Sequence, residues 1–101
     1  MALIKFIILP LLSISILMAG SAKSIYKKEC ASCHGKKAEK KALGKSDVIR
    51  GMSAKKIVAL TKAVASGKQK ATQVAKITHK KVVRKYNDKE LKAVAEYINK
   101  L

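Results

Sequence analysis

An all-α fold, with three short helical stretches and otherwise loop, is the architecture this chain predicts. Three observations carry the expectation. No stretch of the 101 residues alternates apolar and polar side chains for long enough to make a strand. Apolar residues recur at three- and four-residue steps in two regions, the period of a helix with one buried face. Two cysteines and a histidine, Cys30, Cys33 and His34, crowd onto what one helical turn would present together.

The elements follow in order along the chain. Met1 to Ala22 carries one early positive charge at Lys5, then an apolar run from Phe6 to Met18 broken only by Pro10 and two serines, then the small residues Ala19, Gly20, Ser21 and Ala22. That order is a secretory signal peptide. The run is 13 residues long, short of the roughly 20 that a spanning helix needs, so cleavage between Ala19 and Ala22 is expected. Residues 1–22 are read as the leader and 23–101 as one domain, without repeat or low-complexity linker. A short helix is predicted from about Lys23 to Cys33, with Ile25 and Tyr26 ahead of the cysteines. A polar, lysine-rich loop runs from Gly35 to Met52 and contains Gly44 and Gly51.

Ser53 is a good N-cap for a second helix, in which Ile57, Val58, Leu60, Thr61, Val64 and Ala65 make an apolar stripe closed by Gly67. From Gly67 to Tyr86 lies a second long stretch with weaker periodicity. The final helix is the clearest: Asn87 followed three residues later by Glu90 has the pattern of a capping box, and Leu91, Val94, Ala95, Ile98 and Leu101 form its apolar face.

The run Cys30-Ala31-Ser32-Cys33-His34 carries the chemistry. Two thiols three positions apart can add across the two vinyl groups of a haem while the adjacent imidazole reaches the iron, which makes this a c-type haem attachment site. Structural zinc would want four ligands, and only His79 remains as a plausible addition. A thioredoxin-like pair or a structural disulfide is chemically possible in an oxidising compartment, but the strand-helix-strand context of a thioredoxin fold is missing. One covalently attached haem also answers a stability problem. A domain of roughly 80 residues is marginal on its own core, and the whole chain has only four aromatics and no tryptophan.

The chain carries 23 basic and 6 acidic residues, a net charge of +17. Without Lys5 the domain has 22 against 6, about +16 before haem propionates reduce it. Only Arg50 and Arg84 are arginine. Planar, bidentate recognition of phosphates and bases favours arginine, so nucleic acid is not the expected partner. Diffuse lysine charge suits fast, short-lived docking with acidic partners, although the same charge would also keep a protein soluble and monomeric.

The chain resembles class I cytochromes c, and within them the short, single-haem bacterial periplasmic type. The residues that carry the resemblance are Ile25 to Gly35 (IYKKECASCHG), Ala42 to Ser46 (ALGKS) and Lys85 to Ile98 (KYNDKELKAVAEYI). The resemblance implies a small class I cytochrome c fold with three to four helices around one haem, His34 as proximal iron ligand, and an aromatic contact between the first and last helices at Tyr26 and Tyr97. Where the family presents a distal methionine, on the loop before the last helix, this chain has His79. The implied site is bis-histidine and of low potential, because imidazole is a better donor than thioether and stabilises ferric iron. Met52 and a lysine are the competing ligands.

The function so implied is a soluble periplasmic electron carrier, monomeric, docking acidic redox proteins through lysines such as Lys36, Lys37, Lys40, Lys41, Lys80 and Lys81. No nucleophile or carboxylate pair stands beside the haem motif, so neither an enzyme nor a specific small-molecule substrate is expected. The alternative is a haem-based gas or redox sensor with an open or displaceable sixth iron position.

Overall fold

The computed structural model describes residues 21–44 and 46–101. The leader expected over residues 1–22 lies outside the described residues apart from Ser21 and Ala22. Residues 21–34 form the first helix, α1, which widens into a π-helical turn over Tyr26–Cys30 and ends as α-helix over Ala31–His34. Single π turns inside a helix accompany functional sites, and this one ends on the first cysteine. Gly35 stops the helix at φ +91°, where an added Cβ would also run into the Glu39 side chain. The Tyr26 hydroxyl donates to the Gly35 carbonyl and ties that turn to the core.

A loop with a short 3-10 turn at Ala42–Gly44 leads to α2, Ala54–Ser66. Ser53 caps it as its sequence predicts, accepting from the Lys56 amide at 3.2 Å, and Gly67 closes it in the left-handed conformation at φ +85°.

The stretch expected to be weakly periodic, Gly67 to Tyr86, instead contains a third full helix, α3, over Gln73–Lys85. Thr72 nucleates it by accepting from the Ala75 amide at 3.1 Å. Two things hide it in the sequence. Val74, Ile77, Thr78, Val82 and Val83 are β-branched and lose rotamer freedom in a helix. The inward positions also include a threonine and a histidine, Thr78 and His79, so no clean apolar stripe results. His79 is therefore on a helix and not on the loop expected to precede the last helix.

The last helix, α4, spans Asp88–Asn99 behind a reciprocal capping box: the Glu90 amide donates to the Asn87 side chain at 2.8 Å, and the Asn87 amide to the Glu90 carboxylate at 3.1 Å. Lys62 on α2 pairs with Asp88 at 2.7 Å, joining the two helices at the surface. Among the described residues there is no strand, and no helix is long and apolar enough to cross a membrane.

The core sits where α1 and α4 meet. Tyr26 is fully buried and its ring lies 5.7 Å from that of Tyr97, tilted by 49°, the aromatic contact expected between first and last helices. Ala22, Ile25, Ala38, Ile57, Val94, Ala95 and Ile98 complete this cluster. Ten apolar residues are fully buried among those described, and four of them are alanine. So small a packed set leaves the centre of the molecule to a cavity.

Candidate haem site

That cavity measures about 630 Å³ and is walled by α1, α2, α3 and α4. Its sides are apolar: Ile57, Val58 and Val64 from α2, Val74, Ala75 and Val82 from α3, Leu91, Val94 and Ile98 from α4. Protein interiors pack to the density of organic crystals, and an apolar space of this size at the middle of four helices is shaped for one large apolar group. Cys30, Cys33 and His34 enter it from α1 and His79 from α3.

No disulfide joins Cys30 and Cys33. Burial, reinforced by the negative charge of Glu29 and then of Cys33, pushes the Cys30 thiol up to about 12. A thiol that resists ionisation is a poor redox nucleophile, which argues against the thioredoxin-like alternative. Thioether formation with haem vinyl groups removes the titration altogether.

The two imidazoles face each other across the cavity with ring centroids 6.4 Å apart and planes at 81°. His79 Nδ1 lies 2.6 Å from the Ala75 carbonyl. A carbonyl only accepts, so Nδ1 is the donor in this contact, and in a neutral ring Nε2 is the nitrogen with the lone pair. His34 Nδ1 is buried and has no hydrogen-bond partner in the chain, so no protein group fixes its tautomer. Burial first, and the neighbouring His79 second, hold the His34 pKa below its ordinary value. Both effects favour the neutral ring, the state that ligates metal.

Met52 also lines the cavity, while its carbonyl accepts from Asn99 at 2.8 Å. Lys36, Lys37, Lys40, Lys41, Lys80 and Lys81 are all exposed and none lines the cavity. Lys70 does, which its sequence context of alternating lysines gave no reason to single out. Glu29 is another residue missed. It lines the cavity beside Cys30 and accepts from the Tyr86 hydroxyl at 2.7 Å, a pairing 57 positions apart that no local pattern announces.

Fold and site together define an all-α protein built around a haem attached through one Cys-x-x-Cys-His motif. Comparison with known proteins agrees: the model of the cytochrome c family matches residues 19–101. Cytochrome c-553 of Nitratidesulfovibrio vulgaris is 33% identical over 88 residues, covering 87% of this chain and 83% of that protein. Cytochrome c-553 of Helicobacter pylori strain J99 is 40% identical over 84 residues, covering 83% and 81%. The chain belongs to the cytochrome c family. With the cysteines spaced as they are, it carries one covalently bound haem c in the class I fold.

Proposed function

We propose that this cytochrome is an exported, periplasmic one-electron carrier whose iron is held between His34, the proximal ligand, and His79, the distal one. The observation that carries the reading is the pair of facing imidazoles. An imidazole nitrogen binds a first-row metal at roughly 2 Å, so two rings on opposite sides of one metal stand roughly 6 Å apart, centre to centre. The 6.4 Å separation and the free Nε2 of His79 fit that arrangement. Cys30 and Cys33 would hold the macrocycle against the apolar walls of the cavity. The haem supplies the redox change, and two strong ligands keep iron in one coordination state through it, which is what a carrier needs. The name cytochrome c-553 borne by its relatives and the exposed lysines, suited to acidic redox partners, support the same role.

The test is the distal ligand. In the ferric wild type the far-red sulfur-to-iron charge-transfer band should be missing. His79→Met should create that band and raise the reduction potential, because thioether favours ferrous iron. An unchanged spectrum and potential would make His79 a bystander and turn attention to Met52.

One observation favours the sensor reading. None of the α3 side chains is fully buried, so the helix carrying His79 is held by half-buried contacts, chiefly along α2. A sensor would bind carbon monoxide readily once reduced; a carrier with two firm ligands would resist it.

A further inference from the structure

What holds α3 against α1 is a polar contact at its C-terminal end. Tyr86, the residue that caps α3, donates its hydroxyl to Glu29 Oε2 at 2.7 Å. Lys85 Nζ lies 3.3 Å from the same oxygen and 5.5 Å above the Tyr86 ring. Among the described residues no other hydrogen bond or ion pair joins these two helices. The Lys85 pair alone is worth little, since that side chain is half exposed. A phenol donating to an ionised carboxylate is a stronger, charge-assisted bond, and the Glu29 side chain is only 20% exposed.

The placement of this contact gives it a role. Glu29 immediately precedes Cys30, so its position is set by the same helix that holds the haem cysteines. Tyr86 lies seven residues after His79, two helical turns and about 10 Å further along nearly the same face. We propose that Glu29, Tyr86 and Lys85 form a clasp that positions His79, fixing α3 to the haem-bearing helix and so setting how readily the distal imidazole leaves the iron. The proposal rests on the bis-histidine reading above. Glu29 and Tyr86 are positioning residues: neither ligates iron, and both act through His79.

The experiment is carbon monoxide binding to the reduced holoprotein, followed as a rate against carbon monoxide concentration. With His79 on the iron the rate reaches a plateau, and the plateau is the rate at which His79 leaves. Tyr86→Phe, which keeps the ring and loses only the hydroxyl, should raise that plateau roughly fivefold, the effect of one hydrogen bond of typical net strength. Glu29→Ala should raise it by at least as much, and the double variant no further than the larger single, because both remove one contact. Glu96→Gln, at an exposed position of α4, removes the same charge elsewhere and should leave the plateau where it is. A merely structural contact would lower the unfolding midpoint without moving the plateau. A plateau unmoved in both Tyr86→Phe and Glu29→Ala overturns the clasp and leaves the ligand assignment standing. A wild-type rate that climbs without limit overturns the ligand assignment and the clasp with it.

Discussion

Ala22 is a methyl group with a large consequence. It is 3% exposed and packs in the same cluster as Ile25 and Tyr26, although a leader read from sequence can end as late as this residue. Cleavage after Ala22 would remove a core side chain and place a charged amino group at Lys23, next to the apolar cluster. Burying or crowding such a charge is costly, and the chain has few large core residues with which to offset it. If the leader is cleaved, the processed protein should therefore begin at Gly20, Ser21 or Ala22. Intact mass of the exported holoprotein checks this, and a chain beginning at Lys23 would contradict the packing argument. His79 illustrates a different kind of residue-scale constraint. Its Nδ1 is spoken for by the Ala75 carbonyl one turn back, so the helix itself selects which nitrogen is offered to a metal.

At the scale of elements, what the chain announces depends on whether its signals are local. Ser53 with Gly67 bounds α2, and Asn87 with Glu90 opens α4, because caps act within four residues and can be read in a short window. α3 escaped because its cap, Thr72, precedes a run of β-branched residues whose inward face is lined by Thr78 and His79, residues a hydrophobic pattern discounts. The π turn at Tyr26–Cys30 has no sequence signature of its own. Cys30, Cys33 and His34 could be read as a candidate site because they fall within five residues. Glu29 and Tyr86 were not, since only the folded chain brings them together. Their contact also predicts a pH response. The Tyr86 hydroxyl, and then Lys85, hold the Glu29 carboxyl below its ordinary range, with Lys28 adding a further positive charge and partial burial opposing them. A depressed carboxylate stabilises the fold fully above its unfolded pKa, about 4.3 for glutamate, and that contribution fades as pH falls through the lower folded value. The carbon monoxide plateau of the wild type should thus rise as pH drops below about 4. Glu29→Gln, having no charge to lose there, should show a flatter profile; parallel profiles would mean that other carboxylates govern the acid response.

At the largest scale, the described residues form four helices around a cavity of about 630 Å³, with the packed core where α1 and α4 meet. In a chain of 11.0 kDa that core is too small to hold the four helices together unaided, so the haem is a structural part and not a passenger. Cys30→Ala/Cys33→Ala should lose haem staining under denaturing conditions and most of its helical circular dichroism as well. A helical signal equal to the wild type's would show that the polypeptide core suffices. The exterior poses the other global question. Exposed lysines stand on the loop after α1, on α2, on the last turns of α3 and on α4, so the positive field surrounds the molecule and is not confined to one loop. Such a field can do two things. It can steer acidic partners from a distance, or it can only keep copies of the protein apart. The two differ in their dependence on salt, because the Debye length shrinks from about 30 Å at 0.01 M to about 8 Å at physiological ionic strength. If the lysines steer, the bimolecular rate of electron transfer to an acidic redox protein should fall steeply across that range, while the rate to a neutral small-molecule reductant stays level. A rate to the acidic protein that is equally level would leave the charge with solubility alone, since steering cannot survive screening to within one side chain's length of the surface.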